Sequence, residues 1–592
     1  MGVLIKTVRV AGLRGLENIE VPLEKTTILT GMNNTGKTSF LRALQLALGN
    51  RQFVSQDDFF IHGNAVSKNI IVDLLIVPIG SDGEQSDSFS EGWEELFTVD
   101  RIRLDELSNA TIPIRTIISF DAIKNSFKSE QKILQTWPPL EQDGINWFDA
   151  GEGKKTSFHF DEMPFFYMDA QRDILEDTKL RTSYIGKMLS KIEYSKNDIE
   201  AIESQINSLN EKAVSSSPIL SNIKTALKEL DTAMDTNSEG IEITPFTKKI
   251  RDLSKGLTIY YTDQQDSFSM EYHGMGTRSW SSLLTLKAFI SLLSTNADSE
   301  KSVFFPVLAI EEPESHLHPN AQKKLYGQLD AISGQKIIST HSPYIAAVAQ
   351  LGQIRNLYKA ETVSCGRIKT ETLDGEALRK IRRQVINTRG EIFFSKVIVF
   401  CEGETEEQAL PILAQKHFGK TPVEMGVDFI GVSGSRNYLP FLQFAEALNI
   451  PWLILSDAEN KPEKNIKAQV QKQFVNCGTS KSEPDSIVFL DDGNDFERQL
   501  INDGFSTEIR QAILDMKIYN NEQHEKACKA AYKAKVMNYT ENELYDVITG
   551  NKTQFGPLIA QNIVDNGKGL PPKVIDLFNK VSAVLATQED DK

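Results

Sequence analysis

Residues Gly31-Met32-Asn33-Asn34-Thr35-Gly36-Lys37-Thr38 fit the pattern G-x-x-x-x-G-K-[ST]. A loop of this kind wraps phosphates with backbone N–H groups, and the helix that follows it adds the positive end of its dipole. Lys37 is placed to reach the β and γ phosphates and Thr38 to ligate Mg²⁺, which makes Asn34, Gly36, Lys37, Thr38 and Ser39 candidate ATP-binding residues. Such a metal also needs a carboxylate at the end of a neighbouring strand. The apolar run Val307-Leu308-Ala309-Ile310 ends in Glu311-Glu312, giving one acid for Mg²⁺, Glu311, and one to polarise the attacking water, Glu312.

A second set of acids lies far downstream. The run Val397-Ile398-Val399-Phe400-Cys401 reads as a buried strand delivering Glu402, and Thr405 with Gln408 reads as a capping box opening a helix with Glu406 in its first turn. Another strand, Trp452 to Leu455, delivers Asp457 and Glu459. In open parallel sheets ligands bind at the C-terminal edge, so both acid pairs are expected in one crevice. Carboxylates crowded there repel one another unless a cation lies between them. All-oxygen ligands suit Mg²⁺ or Mn²⁺, and two such ions about 3.5–4 Å apart clamp the attacking and leaving oxygens of a phosphodiester.

The elements that must position these groups follow from pattern. Residues 1–30 read as short strands, and from Lys37 the spacing of Phe40, Leu41, Leu44 and Leu48 is helical, with Gly49-Asn50 as the stop. Residues 176–237 are polar, with Ile199, Ile202, Ile206 and Leu209 forming one seam, which predicts a helical hairpin: a solvated pair or an oligomerisation arm. After the basic stretch Arg379 to Arg383, strands alternate with amphipathic helices, as a parallel sheet requires. The expected fold class is α/β, and the expected division is 1–175, 176–240, 241–388 and 389–592.

Composition narrows the partners. The 592 residues carry 65 Lys and Arg against 81 Asp and Glu, a formal charge of −16, which excludes a histone-like basic coat. A local basic groove is still compatible with that charge, and Lys526, Lys529 and Lys533 near Tyr532, with the Arg379–Arg383 cluster, are candidates for backbone phosphates. No run approaches the ~18 apolar residues of a membrane span, and the start carries no export or lipidation signal, so no membrane is involved and a cytoplasmic location is expected. Four cysteines without a C-x-x-C pair support neither a disulfide framework nor a zinc ribbon.

Pro313-Glu314-Ser315-His316-Leu317-His318-Pro319 and Ser339-Thr340-His341-Ser342-Pro343 resemble segments of ABC-type ATPases of the SMC and RecF kind. The resemblance implies that His341 senses the γ-phosphate and that Asp169-Ala170-Gln171-Arg172-Asp173 is a glutamine loop with Gln171 at the nucleotide. It makes Arg14 the N-terminal arginine and His273-Gly274-Met275-Gly276-Thr277-Arg278-Ser279, without the family's Ser-Gly-Gly spelling, the signature segment. The acids at Glu402, Glu406, Asp457 and Glu459 look like a Toprim domain of the nuclease variety, with Asp457-x-Glu459 in place of D-x-D.

An SMC-like P-loop ATPase head with a helical dimerisation insertion, followed by a Rossmann-like Toprim domain, is the architecture of the OLD (overcoming lysogenization defect) nucleases, a family similar to the Gabija nuclease and retron-linked effectors. That resemblance implies Glu497 as a further metal ligand, with Asp491 and Asp492 as rivals, and Lys552 as the assisting lysine, with Lys568 as rival. It implies a metal-dependent DNA endonuclease gated by ATP and acting in phage defence, at least dimeric, with ATP and Mg²⁺ or Mn²⁺ as cofactors. A reverse transcriptase with its retron DNA, or a helicase-like protein, is the kind of defence partner implied. The rival reading is a RecF-like ATP-driven DNA clamp whose Toprim-like domain is a scaffold.

Overall fold

A computed structural model of the chain describes residues 2–49, 54–62, 65–80, 82–121, 124–179, 195–221, 260–263, 266–360, 362–386, 390–458, 466–470, 486–518 and 522–590. The chain divides into two compact units, one formed by Met1–Phe160 with Gln335–Lys592 and the other by Asp161–Gly334.

The first unit opens with β1 (Gly2–Leu13), β2 (Leu16–Pro22), β3 (Thr26–Thr30) and α1 (Lys37–Leu48), followed by β4 (Asn69–Ile79), β5 (Ala110–Asp121), β6 (Ser126–Leu134) and β7 (Gly153–Thr156). An antiparallel sheet runs β7-β6-β5-β4-β1-β2, with the short strand Arg103–Leu104 beside β5. The sequence reading saw only its first strands. What obscures the rest is charge inside apolar runs: Asp73 of β4 and Arg115 of β5 lie opposite each other in register. Both are buried, and the Arg115 fork bonds Asp73 at 2.8 and 2.7 Å, so each satisfies the other where a hydrophobic pattern would break. Trp147 covers the pair, its ring 5.6 Å from the guanidinium.

The second unit contains β8 (Phe165–Met168), α2 (Lys196–Ser216), α3 (Met275–Glu300), β9 (Val307–Glu311) and α4 (Pro319–Asp330). β8 and β9 pair in parallel, Phe165 with Val307 through Met168 with Ile310. α2 carries the Ile199–Leu209 seam and is capped by Ser195, whose hydroxyl accepts from Asp198 N. Residues 180–194 and 222–237 of the expected hairpin region lie outside the described residues.

The first unit resumes with β10 (Gln335–Ser339), α5 (Pro343–Val348), β11 (Ile354–Lys359) and β12 (Val363–Arg367). Here β3, from the start of the chain, lies between β10 and β11, parallel to both. Then come β13 (Val397–Cys401), α6 (Glu404–Phe418), β14 (Val427–Gly431), α7 (Tyr438–Ala447), β15 (Trp452–Ser456), β16 (Ile487–Phe489), α8 (Phe496–Asn502), α9 (Ser506–Asp515), α10 (Glu541–Thr549), α11 (Lys552–Asp565) and α12 (Pro572–Asp590). Their sheet is parallel, in the order β14-β13-β15-β16. Side chains alternate across it. Val397, Val399 and Cys401 enter a core shared with α6, α9, α11 and α12, whereas Phe400 meets Phe441 of α7, with ring centroids 5.6 Å apart. α7 ends against the preceding hairpin: Asn356 Nδ2 donates to Leu448 O at 2.8 Å, and a Cβ on Gly366 would stand 2.8 Å from Ala447 O.

Candidate functional site

The phosphate loop between β3 and α1 is built on three positive-φ residues, Gly31, Asn34 and Gly36. A Cβ at Gly31 would collide with Leu357 O, and one at Gly36 with Leu16, so only glycine lets the loop close on both sides. Lys37 Nζ donates to Gly31 O at 2.8 Å and Met32 O at 2.7 Å, folding the ammonium onto the loop that would hold phosphate. Thr38 is exposed, and Ser39 half-buried. Arg14 sits nearby in sequence but donates to Asp58 at 2.8 Å. In the same unit His341 precedes Ser342, whose hydroxyl caps α5 by accepting from Tyr344 N and Ile345 N at 3.2 Å.

In the second unit β9 ends on Glu311, whose carboxylate accepts from the Tyr167 hydroxyl at 2.7 Å. Glu312 follows in the left-handed region, φ 40°. This turn is held by Arg172, 6% exposed, whose fork donates to the carbonyls of Asp169, Glu311, Glu312 and Pro313. Burial lowers its pKa to about 10, with Glu314 the first of the acids opposing that shift, and the guanidinium stays charged at neutral pH. Gln171, the residue singled out by pattern, is exposed; its backbone N–H bonds Asp169. The signature-like segment does not precede a helix but enters it: Gly274 caps α3, and Gly276 packs so closely on His316 O that a Cβ would lie 2.4 Å away. His318 is the cap of α4, accepting from Asn320 N at 3.3 Å.

The acids of the Toprim-like sheet gather at its C-terminal edge. Glu402 follows β13, where Ser435 N donates to its Oε1 at 3.0 Å and the Ser456 hydroxyl reaches its Oε2 at 3.5 Å. The expected capping box at Thr405 does not form. Gly403 is the cap and α6 begins at Glu404, because the Thr405 hydroxyl is turned inward to donate to Glu497 Oε1 at 2.8 Å. Glu406, 4% exposed, faces the same interior. α8 brings Glu497, 2% exposed, after Asp495, which caps that helix through Arg498 N at 2.8 Å. Lys552 opens α11 and donates to Glu497 Oε2 at 3.0 Å and Asp495 Oδ2 at 3.3 Å. It can do so because α11 crosses α6 with little between them: a Cβ on Gly556 would lie 3.0 Å from Thr405 O.

Electrostatics follow from this crowding. Burial first, then the charges of Glu406 and Glu402, push Asp457 up to about 9. Burial and the Glu497 charge push Glu406 to about 7, against its own backbone N–H. Burial and Asp495 raise Glu497 as well. At Lys552 burial disfavours the ammonium, but Glu497 and Asp495 outweigh it and raise its pKa.

Five expected residues therefore stand together: Glu402, Glu406, Asp457, Glu497 and Lys552. Glu459 lies outside the described residues. Asp491 is exposed and pairs with Lys573 at 3.2 Å, Asp492 is exposed, and Lys568 donates to Gly504 O; none joins the group. Pattern reading missed Thr405, Ser456 and Asp495 as partners in it; the polar residues flanking each acid, Ser456-Asp457 and Asp495-Phe496-Glu497, were the available signal. Among the described residues no three Asp, Glu, His or Cys side chains stand as a ligand set. The chemistry still fits a hard divalent cation. The donors are all oxygen, and burial with the neighbouring carboxylate charges disfavours the charged form of Asp457, a repulsion that a cation would relieve.

Fold and sites together define a P-loop ATPase joined to a Toprim domain. The pattern of the AAA ATPase domain matches residues 4–136 and 154–346, more than half of the chain. That of the overcoming lysogenization defect protein-like TOPRIM domain matches residues 393–458. Among curated relatives, the OLD nuclease of Thermus scotoductus is 23% identical over 490 residues, covering 78% of this chain and 83% of the relative. The Old nuclease of Escherichia phage P2 is 23% identical over 491 residues, 78% of each chain. Endonuclease GajA of Bacillus cereus is 22% identical over 492 residues, 78% of this chain and 76% of the relative. The chain belongs to the AAA ATPase domain family and carries an OLD-like Toprim domain.

Proposed function

We propose that the chain is a metal-dependent DNA endonuclease whose Toprim site is gated by its ATPase head. The observation that carries the reading is the acid group itself: Glu402, Glu406, Asp457 and Glu497 at the C-terminal edge of a parallel sheet, with Lys552 bonded to Glu497. Glu402, Glu406, Asp457 and Glu497, with Glu459, are the groups that would hold Mg²⁺ or Mn²⁺, which when bound supplies the Lewis acidity for phosphodiester hydrolysis. Lys552 then offers positive charge to the phosphate as negative charge develops on it. Without metal, burial and the Glu497 charge hold Glu406 at about 7, so a cation bound there displaces a proton. Thr405 and Lys552 keep Glu497 turned toward the group.

ATP is assigned to Asn34, Gly36, Lys37, Thr38 and Ser39, and Gln171, Glu311, Glu312 and His341 are the further motif residues assigned to nucleotide. Gating is supported by a packed path inside one unit. The His341 ring is 6.4 Å from that of Phe394, and Phe393 stands edge-on to Phe444 of α7 at 5.1 Å. α7 begins at Tyr438, whose surroundings include Glu402 and Asp457.

The reading extends to phage defence in the cytoplasm by a homo-oligomer, at least a dimer, with a reverse transcriptase or helicase-like protein as the kind of neighbour expected. The Ile199–Leu209 seam, with Leu209 51% exposed, is the proposed assembly face. Cleavage of supercoiled and linear DNA with Mg²⁺ or Mn²⁺, with and without ATP, tests the nuclease. Glu402→Ala should abolish cleavage and keep ATP hydrolysis, whereas Lys37→Ala should change only the ATP response. Cleavage retained by Glu402→Ala would refute the site, and wild-type retention of DNA without cleavage would favour the clamp.

A further inference from the structure

Among the described residues, two buried polar atoms at the acid edge have no hydrogen-bond partner, Asp457 Oδ1 and the Tyr438 hydroxyl. Tyr438 is the first residue of α7, and its side chain is fully enclosed. The loop that delivers it is tied to Glu402 twice, Gly434 N to Glu402 O at 2.9 Å and Ser435 N to Glu402 Oε1 at 3.0 Å. Burial acts on the phenol first, and the charges of Glu402, Glu406 and Asp457 also bear on it; together they hold its pKa well above the usual tyrosine value. The hydroxyl is therefore a proton donor at any working pH and not a nucleophile. A phenylalanine would fill the same space without an unpaired hydroxyl, so packing alone does not account for a tyrosine here.

We propose that Tyr438 is a positioning residue of the nuclease site, its hydroxyl donating to Asp457 Oδ1 when the site is loaded and so fixing the rotation of the carboxylate that holds the cation. Asp457 follows β15 directly, and a donor held on one of its oxygens fixes how the other is presented to a cation. Ser456 does not serve that oxygen, since its hydroxyl is directed to the Asp457 carbonyl at 3.0 Å and to Glu402. The Tyr438 hydroxyl, the other unpaired buried atom at this edge, is the donor proposed for it. Outer donors of this kind orient metal-holding carboxylates, and their loss weakens metal affinity about tenfold or more.

The inference rests on the nuclease reading of the acid group, and its test separates the two. In the full chain, Tyr438→Phe removes one oxygen. Expected are Mn²⁺ affinity lower by about tenfold in calorimetry without DNA, a comparable fall in kcat on linear DNA with little change in KM, and a metal-free Tm that is unchanged or higher. In an Asp457→Asn background the same substitution should have no further effect on Mn²⁺ affinity. Unchanged Mn²⁺ affinity overturns the proposal whatever happens to Tm, as does an undiminished effect of Tyr438→Phe in the Asp457→Asn background. If wild type binds Mn²⁺ and cleaves no DNA, the nuclease reading fails while calorimetry still decides the role of Tyr438.

Discussion

Arg172 commits both terminal nitrogens of its guanidinium to backbone: four carbonyls, from the glutamine-loop segment and from the end of β9 and the turn after it, converge on them. That turn includes Glu312 at φ 40°, a conformation an ordinary residue keeps only when its surroundings impose it. Removing the fork takes a donor from each carbonyl, of which Glu312 O keeps Ser315 N, and one left buried without a partner costs about 1–3 kcal/mol. Arg172→Ala should therefore lower the denaturation midpoint and abolish ATP hydrolysis. Arg172→Lys should recover little, because an ammonium lacks the planar fork that reaches all four. Wild-type hydrolysis by Arg172→Ala would show that the turn is held by something else. Pattern pointed one residue away, at the exposed Gln171; a motif marks the residue expected to meet ligand, whereas the anchor beside it becomes visible only when the carbonyls it gathers, far apart in sequence, are in place.

At the scale of elements, what could be read was what periodicity encodes. α1 and β13 run as expected because their apolar spacing and flanking glycines are local properties. The antiparallel sheet was largely hidden, since its buried Asp73–Arg115 pair resembles a loop's polarity until the cross-strand register is known. Likewise the meeting of Lys552 with Glu497 depends on the close crossing of α6 and α11 at Gly556, a contact that spacing along either helix does not reveal. The path proposed for gating is of this second kind, joining Phe393 of the linker to Phe444 of α7. An edge-to-face aromatic pair is worth about 0.5–1.5 kcal/mol beyond its burial, so its loss should change the ATP dependence of cleavage by roughly two- to tenfold. Phe444→Leu keeps much of the volume. It should leave ATP hydrolysis and ATP-free cleavage near wild type while shrinking the difference that ATP makes, and an unaltered ATP response would place the coupling elsewhere.

Across the whole molecule the acids of the Toprim edge belong to a chain of formal charge −16, with Lys552 the cation bonded to Glu497 and Asp495. Asp457 is pushed to about 9 and Glu406 to about 7, both above their values in an unfolded chain. The folded protein therefore binds more protons than the unfolded one over that range. The contribution of these groups to metal-free stability is full below about pH 4 and is lost as pH rises through about 7 and then about 9. A divalent cation at the same carboxylates displaces those protons, so its stabilisation should grow over the same interval. The expected result is a Mn²⁺-induced rise in Tm that is small near pH 6 and increases toward pH 9, with a metal-free Tm that falls in parallel. Glu402→Gln removes one of the repelling charges and should flatten both trends. A Mn²⁺ effect that is constant with pH, or largest in acid, would mean that the cation binds away from Asp457 and Glu406, and the acid edge would then have to be explained without metal.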